Sequence, residues 1–504
     1  MKSTTVLSLA VACIACLPAP SGAADSGDLK ALREEIRRMR DTYEKRIEAL
    51  EKRVAQTEST ATQAQSSAIG AASSASGAAS TAAQAATSAE TAQSAATRAL
   101  SSAAAAGVAA SARPTSESAF NPALSLILSG TYTNLKADPV TRPYAINGFI
   151  PSNGEVAPPP RSFSLGESEL AISANVDHYF RGALFLALPP EQGQSPVVEE
   201  AYVQTLGLPG GVSLKAGRFL SGVGYLNEQH AHAWDFADAP LAYKAFFGGQ
   251  QRGEGVQLKW LAPTDLFLEF GVEAGRGGSF PSTDRNKNGF QTGSLFAHAG
   301  GDIGIESSWR AGLSVVASNP RDRAFTDADS TGAATLKRFS GSSRTWIADA
   351  VWKWAPGGNS TQRYLKLQGE YFRRNESGAL ASNSAAGLCG GACADTYGSA
   401  QSGGYAQAVY KFAPAWRAGL RHDRMNSGNT NIALVGGGTL AGGDFPLLAA
   451  HRPRRDSLML DWSPSEFSLV RMQYARDHSR IGAADDQVWL QYIMSLGAHG
   501  AHKY

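Results

Sequence analysis

From Phe120 to Tyr504 apolar and polar residues alternate with a period of two, in segments of about ten residues separated by Gly, Pro, Asn and Asp. Between Tyr364 and Tyr371, Leu365, Leu367 and Tyr371 point one way while Lys366, Gln368 and Glu370 point the other. In the same manner Val256, Leu258 and Trp260 oppose Gln257 and Lys259, and Trp346, Trp352 and Trp354 oppose Asp349 and Lys353. Successive side chains of a strand leave opposite faces, so this period marks strand and not helix. Sixteen segments can be placed, near 123–132, 163–175, 178–188, 196–207, 212–219, 252–261, 265–275, 293–300, 304–317, 345–354, 362–373, 402–412, 415–424, 456–462, 466–477 and 487–496. Most of the gaps between them are by turns short, as at Asp177 and Pro414, and long, as at 133–162, 220–251 and 425–455. A soluble sandwich also alternates. An even strand count, aromatic residues near strand ends, and short turns opposed to long loops are the habits of a membrane barrel. The pattern predicts an all-β transmembrane fold, an antiparallel barrel of about sixteen strands over 120–504, with both termini periplasmic.

Upstream the pattern changes period. Leu29, Leu32, Ile36, Met39 and Tyr43 fall three and four apart, slip by four to Ile47, and resume at Leu50 and Val54. This predicts a heptad seam with one stutter over 28–57, an α-helical coiled coil that self-associates, or else one helix docked on the barrel. Residues 58–118 are nearly all Ala, Ser, Thr, Gln and Gly, too poor in apolar surface for a core, and read as a spacer. Lys2, the apolar run Val6–Leu17 and the small residues to Ala24 form a secretory signal peptide over 1–24. The run is too short to span a bilayer, and Cys13 and Cys16 fit a lipid-attachment site poorly. Export without a membrane helix places the barrel in the outer membrane of a Gram-negative bacterium, in contact with its lipid, with the arm in the periplasm and able to reach the cell wall.

A formal net charge of +2 gives no reason to expect a nucleic-acid or other polyanionic partner. Cys389 and Cys393 remain after the signal and flank Gly390–Ala392, which predicts a small-loop disulfide in an oxidising compartment. On the polar phase of the strands lie Lys215, Lys259, Lys353, Lys366, Lys411, Arg417, Arg421 and Arg471, with Glu269, Glu273, Asp349, Glu370 and Asp461. Mixed in sign, they would line a weakly selective lumen or pair across the wall. The loop at 220–251 is more apolar than a solvated loop should be. Folded inward, it would bring Glu228, His230, His232, Asp235 and Asp238 to a pore constriction. His230 and His232, two apart, could bind Zn²⁺ with Asp235, a weak signal without a fixed third ligand, as is that of His499 and His502. Asp284–Gly289 opens like a calcium loop, but the twelfth position is Leu295, and a polar turn is the better reading. No cofactor is expected.

The stretches Val198–Val203, Leu214–Phe219 and Arg252–Leu258 resemble the early barrel of the phosphate-selective porin O and P family, over about 120–420. The resemblance implies a sixteen-strand homotrimer, sometimes with an N-terminal coiled coil, that passes small hydrophilic solutes or ions. It does not carry phosphate over, since the family's arginine ladder and lysine cluster cannot be placed here. A ligand-specific uptake receptor, metal-linked in one form, and a structural envelope tether are the alternatives. An enzyme is not expected, because His422 and His478 have no accompanying nucleophile motif.

Overall fold

The computed structural model describes residues 122–497 except 155 and 190–194, together with Glu34, Glu35, Arg37, Arg38, Arg40 and Lys52, which are helical and exposed. The signal peptide, the spacer, the rest of the predicted coiled coil, and His499 and His502 lie outside the described residues. The chain divides into two units, Met1–Ser116 and Glu117–Tyr504.

The second unit is a single sheet of eighteen strand segments. They are β1 (Ala123–Leu135), β2 (Ser162–Leu165), β3 (Ser168–Asn175), β4 (Phe180–Leu188), β5 (Val197–Thr205), β6 (Val212–Leu220), β7 (Arg252–Leu261), β8 (Phe267–Gly275) and β9 (Thr292–Ile303). There follow β10 (Ser307–Ser318), β11 (Arg323–Ala328), β12 (Ala334–Trp354), β13 (Tyr364–Ser382), β14 (Cys393–Ala413), β15 (Trp416–Ile432), β16 (Arg454–Ser465), β17 (Ser468–Asp477) and β18 (Asp485–Gly497). Both β2 and β3 pair with β1, and both β10 and β11 pair with β12, so each couple is one interrupted strand. The wall therefore has sixteen strands, all antiparallel to their neighbours. It closes where β1 pairs with β18, from Ser125 opposite Gly497 to Leu135 opposite Gln487. Closure gives the wall no first or last strand left unpaired along the membrane.

Each segment predicted from the alternation is a wall strand. Val256, Leu258 and Trp260 of β7 are 42–44% exposed, while Gln257 between them is 1% exposed. An exposed apolar face over a buried polar one inverts the soluble arrangement and suits lipid outside. Near the short turns the outer face carries paired aromatics, Trp260 stacked on Phe270 and Trp416 tilted against Trp462. The strands from β12 to β15 run much further toward the long loops than the pattern predicts. The extensions face outward with Arg338, Arg344, Arg373 and Arg424, all exposed. Tilted by about 45°, the 21 residues of β12 rise roughly 50 Å, twice the ~25 Å apolar band of such a barrel. Above that band both faces tolerate polar residues, so the alternation that marks a strand fades. Among the described residues no helix is long and apolar enough to cross a membrane.

The inside is packed. One apolar cluster joins wall residues Phe296, Ile347, Phe372 and Tyr405 to Val223, Leu241, Tyr243, Phe246 and Phe247 of the loop between β6 and β7. A second, nearer the outer ends, joins Phe325, Phe339, Leu380 and Tyr397 to Leu434, Leu440, Phe445 and Leu448 of the loop between β15 and β16. The first outer loop feeds both, through Phe149 and Ile150.

Candidate functional site

The loop between β6 and β7 folds into the barrel and is held there by the wall. Its helix α1 (Leu241–Phe247) is buried throughout and ends at Gly248, whose φ of 70° is left-handed. Tyr243, Phe246 and Phe247 surround Phe372 of β13, with ring centroids 5.1, 5.8 and 6.0 Å from it. Burying this loop takes its amides out of water, and each then needs a partner. Wall carboxylates supply many. Glu200 accepts from Leu220 N at 2.8 Å, Glu273 from Gly222 N at 2.8 Å and Asp423 from Leu241 N at 2.9 Å. Glu370 accepts from Tyr225 N, Leu226 N and the hydroxyls of Tyr243 and Tyr405. Wall arginines reach the carbonyls: Arg421 donates to Asp238 O and Arg374 to Ala245 O. Gly224, with φ +70°, passes so close to Glu370 Oε2 that an added Cβ would lie 2.4 Å from it.

The five residues predicted for a constriction all face the barrel wall and bind it. Glu228 pairs with Lys259 at 2.9 Å. Asp235 pairs with Lys366 at 2.8 Å and with Arg417 at 2.9 Å. Asp238 accepts from Lys244 at 2.8 Å, Arg421 at 2.9 Å and Arg455. Burial works against the ionised form of both loop aspartates, but these cations outweigh it, holding Asp235 below the usual carboxylate range and Asp238 well below it. His230 Nδ1 lies 2.8 Å from Glu169 and 3.2 Å from Glu199, its Nε2 lies 2.9 Å from Glu200, and His232 lies 3.6 Å from Glu169. The expectation that Asp235 joins these histidines in a zinc site is corrected: Asp235 is engaged with Lys366 and Arg417, and the carboxylates around the imidazoles come from the wall. Glu169 projects from β3. Glu199 and Glu200 are consecutive on β5 yet both buried, because the β4–β5 register shifts between Phe185 and Leu186, a bulge that turns both inward. Two adjacent glutamates in a strand otherwise send one into lipid, so the pair itself is a readable sign of a bulge.

The predicted lumen residues are part of the same network. Lys259 also lies 3.4 Å from Glu269, which takes a bond from His298. Arg417 and Arg471 share Asp461, and Asp349 is 3.8 Å from Arg310. Lys215 is buried with its Nζ 4.5 Å from the centre of the Tyr202 ring, and Lys353 lies opposite Lys366 in the β12–β13 register. Beside the loop a cavity of about 670 Å³ remains, walled by Ser129, Thr131, Trp489 and Gln491 of the barrel, by the first outer loop at Ser152–Gly154, and by His232, Asp238 and Lys244. Of the five constriction candidates, His232 and Asp238 line it. An apolar hollow of about 1110 Å³ includes Leu367, Leu420, Leu458 and Tyr474 of the exposed outer face, and belongs to the lipid side. His422 is on that outer face, 2.7 Å from Asp456. Asp284 pairs with Arg276 and accepts from Asn286 N, as a polar turn does. Cys389 and Cys393 are joined by a disulfide, Cα to Cα 5.1 Å, in the loop between β13 and β14.

Among solved structures the chain is similar to OmpT of Vibrio cholerae in its trimer form (10% identical, TM-score 0.46, covering 75% of this chain and 99% of that one). It is similar also to the outer membrane channel DcaP of Acinetobacter baumannii (12%, TM-score 0.44, 75% and 97%) and to OprB of Pseudomonas putida (14%, TM-score 0.44, 75% and 94%). No family model matches the sequence. An uncharacterized protein of Aquifex aeolicus (strain VF5) is 30% identical over 418 residues, covering 78% of this chain and 81% of that protein. The chain belongs to the same family as that Aquifex aeolicus protein.

Proposed function

We propose that the chain is a passive channel of a Gram-negative outer membrane, admitting small hydrophilic solutes or ions through a narrowed lumen. One observation carries this reading: a closed sixteen-strand barrel, apolar outside, holds an inward-folded loop that leaves a polar-walled cavity of about 670 Å³ at its side. Barrels of this strand number enclose an aqueous path, and a loop pinned inside one narrows it. Because most lumenal charges are paired with one another, ion selectivity would be weak and local. The homotrimer and the porin family rest on the sequence resemblance and are part of the proposal, as is a periplasmic arm over 28–118 that reaches toward the cell wall.

Swelling of liposomes that contain the refolded chain, in a graded series of uncharged sugars, tests it. Swelling should be fast with a monosaccharide and fall steeply with sugar size. Failure with the smallest sugar overturns the channel reading. A ligand-specific uptake receptor is the second reading, favoured by the tight packing of the inner loop. It would show uptake of one solute that saturates, with no general swelling.

A further inference from the structure

The histidines of the inner loop and the glutamates of the wall form a cluster that ion pairing alone does not explain. Three buried carboxylates, Glu169, Glu199 and Glu200, converge on His230 and His232. Arg252 contributes one positive charge, through a 2.9 Å bond to Glu199 Oε1. A charged His230 would supply a second, still one short of three carboxylates, whereas a divalent cation together with Arg252 balances all three.

We propose that Glu169, Glu199, His230 and His232 bind one Zn²⁺ ion, which clamps the inner loop to the barrel wall. The ligand atoms of Glu169, Glu199 and His230 all lie within 4.8 Å of one another, and His232 stands beside Glu169. His230 Nδ1 lies 2.8 Å from Glu169 Oε2 and 3.2 Å from Glu199 Oε2, and His232 Nδ1 lies 3.6 Å from the same Glu169 oxygen. Tetrahedral zinc with bonds of ~2.0–2.2 Å holds neighbouring ligand atoms roughly 3.3–3.6 Å apart, so small shifts admit the ion among Glu169, Glu199 and His230, and His232 completes the set by turning its ring toward it. The groups behind the ligands have the form a metal site needs. The other nitrogen of His230, Nε2, faces Glu200 Oε1 at 2.9 Å, the carboxylate–histidine arrangement that fixes the tautomer of a ligating imidazole. Arg252 holds Glu199 by Oε1 and leaves Oε2 toward the histidines. The ion has a way in, since His232 and Arg252 line the cavity beside the loop. Two imidazoles with two carboxylates suit zinc and its first-row neighbours over calcium or magnesium. A closed set of four protein ligands is structural in kind and holds no open position for catalysis.

The test uses the full chain refolded in detergent, with His499→Ala and His502→Ala in every sample so that the tail offers no imidazole. Zn²⁺ binding is followed by calorimetry, and Co²⁺ binding by visible absorption. One ion per chain is expected, and Co²⁺ should give the intense bands of four-coordinate geometry. His230→Ala with His232→Ala should weaken binding roughly 100-fold or more. Glu200→Gln should keep the one-to-one stoichiometry and weaken binding about 10- to 100-fold. Mobility on unheated gels reports whether each variant has a folded barrel, and the unsubstituted cluster decides the question if a variant does not fold. No Zn²⁺ bound at millimolar ion, a pale six-coordinate Co²⁺ spectrum, or undiminished binding by the folded double variant overturns the proposal.

Discussion

Replacing Asp238 by Asn tests whether buried charge holds the inner loop. The change keeps shape and Oδ1 but removes the negative charge at the meeting point of Lys244, Arg421 and Arg455, whose side chains are 3%, 1% and 1% exposed. Stripping one partner from a buried ion pair costs about 3–5 kcal/mol, because the remaining charge is left without compensation. Here Asp423 lies 3.0 Å from Arg421 and Asp477 lies 3.9 Å from Arg455, and both soften the loss. The low end, about 3 kcal/mol, is therefore expected, which raises the released population of the loop roughly 100-fold. Amide hydrogen exchange of residues 221–251 in the refolded barrel should accelerate by about that factor, while exchange in β13 and β14 stays as it was. Exchange unchanged within the loop would refute the reasoning. The same ion pairs fix a pH dependence. Asp235 and Asp238 have folded pKa values below their unfolded ones. Their stabilisation is thus complete above about pH 4 and is lost only as pH falls through the lower folded values. The share of loop protection that these two aspartates supply should hold down to about pH 4 and decline below it, read from amide exchange in residues 233–240.

Three further outcomes follow from the geometry. Phe372→Ala removes the ring at the centre of Tyr243, Phe246 and Phe247 and should cost about 3–5 kcal/mol of loop stability, read by the same exchange experiment. Leu420, 62% exposed on the outer face, should tolerate arginine poorly: Leu420→Arg should cost about 2–4 kcal/mol in lipid if it sits near mid-bilayer, measured by urea unfolding in liposomes. Reducing the disulfide between Cys389 and Cys393, or replacing both by Ser, should cost only about 2 kcal/mol because the closed loop is short, and should leave solute passage intact.

The barrel is legible in the sequence because a lipid-facing surface and a polar lumen impose a period of two on each strand. Val256, Leu258 and Trp260 against Gln257 show it in a few residues. The signal fades at the outer ends of β12 to β15, where Arg344 and Arg373 face water and apolar residues are no longer required. The inner loop is legible by its apolar content, and Val223 and Phe246 are fully buried. Its binding to the wall is not, because each contact joins residues remote in sequence, as Asp238 to Arg455 or His230 to Glu169. Alternation tells that Glu370 points inward but not that it will bind two loop amides and two tyrosines. Glu199 needed a bulge to turn inward, and only the adjacent Glu200 hints at it.

Single-channel recording in planar bilayers tests the central claim most directly, with the unsubstituted chain beside Asp238→Asn. The account predicts stepwise openings of small, steady conductance for the first, and larger, noisier openings for the second as the loop leaves the lumen. A folded barrel that gives no openings, with its loop pinned or released, would contradict it.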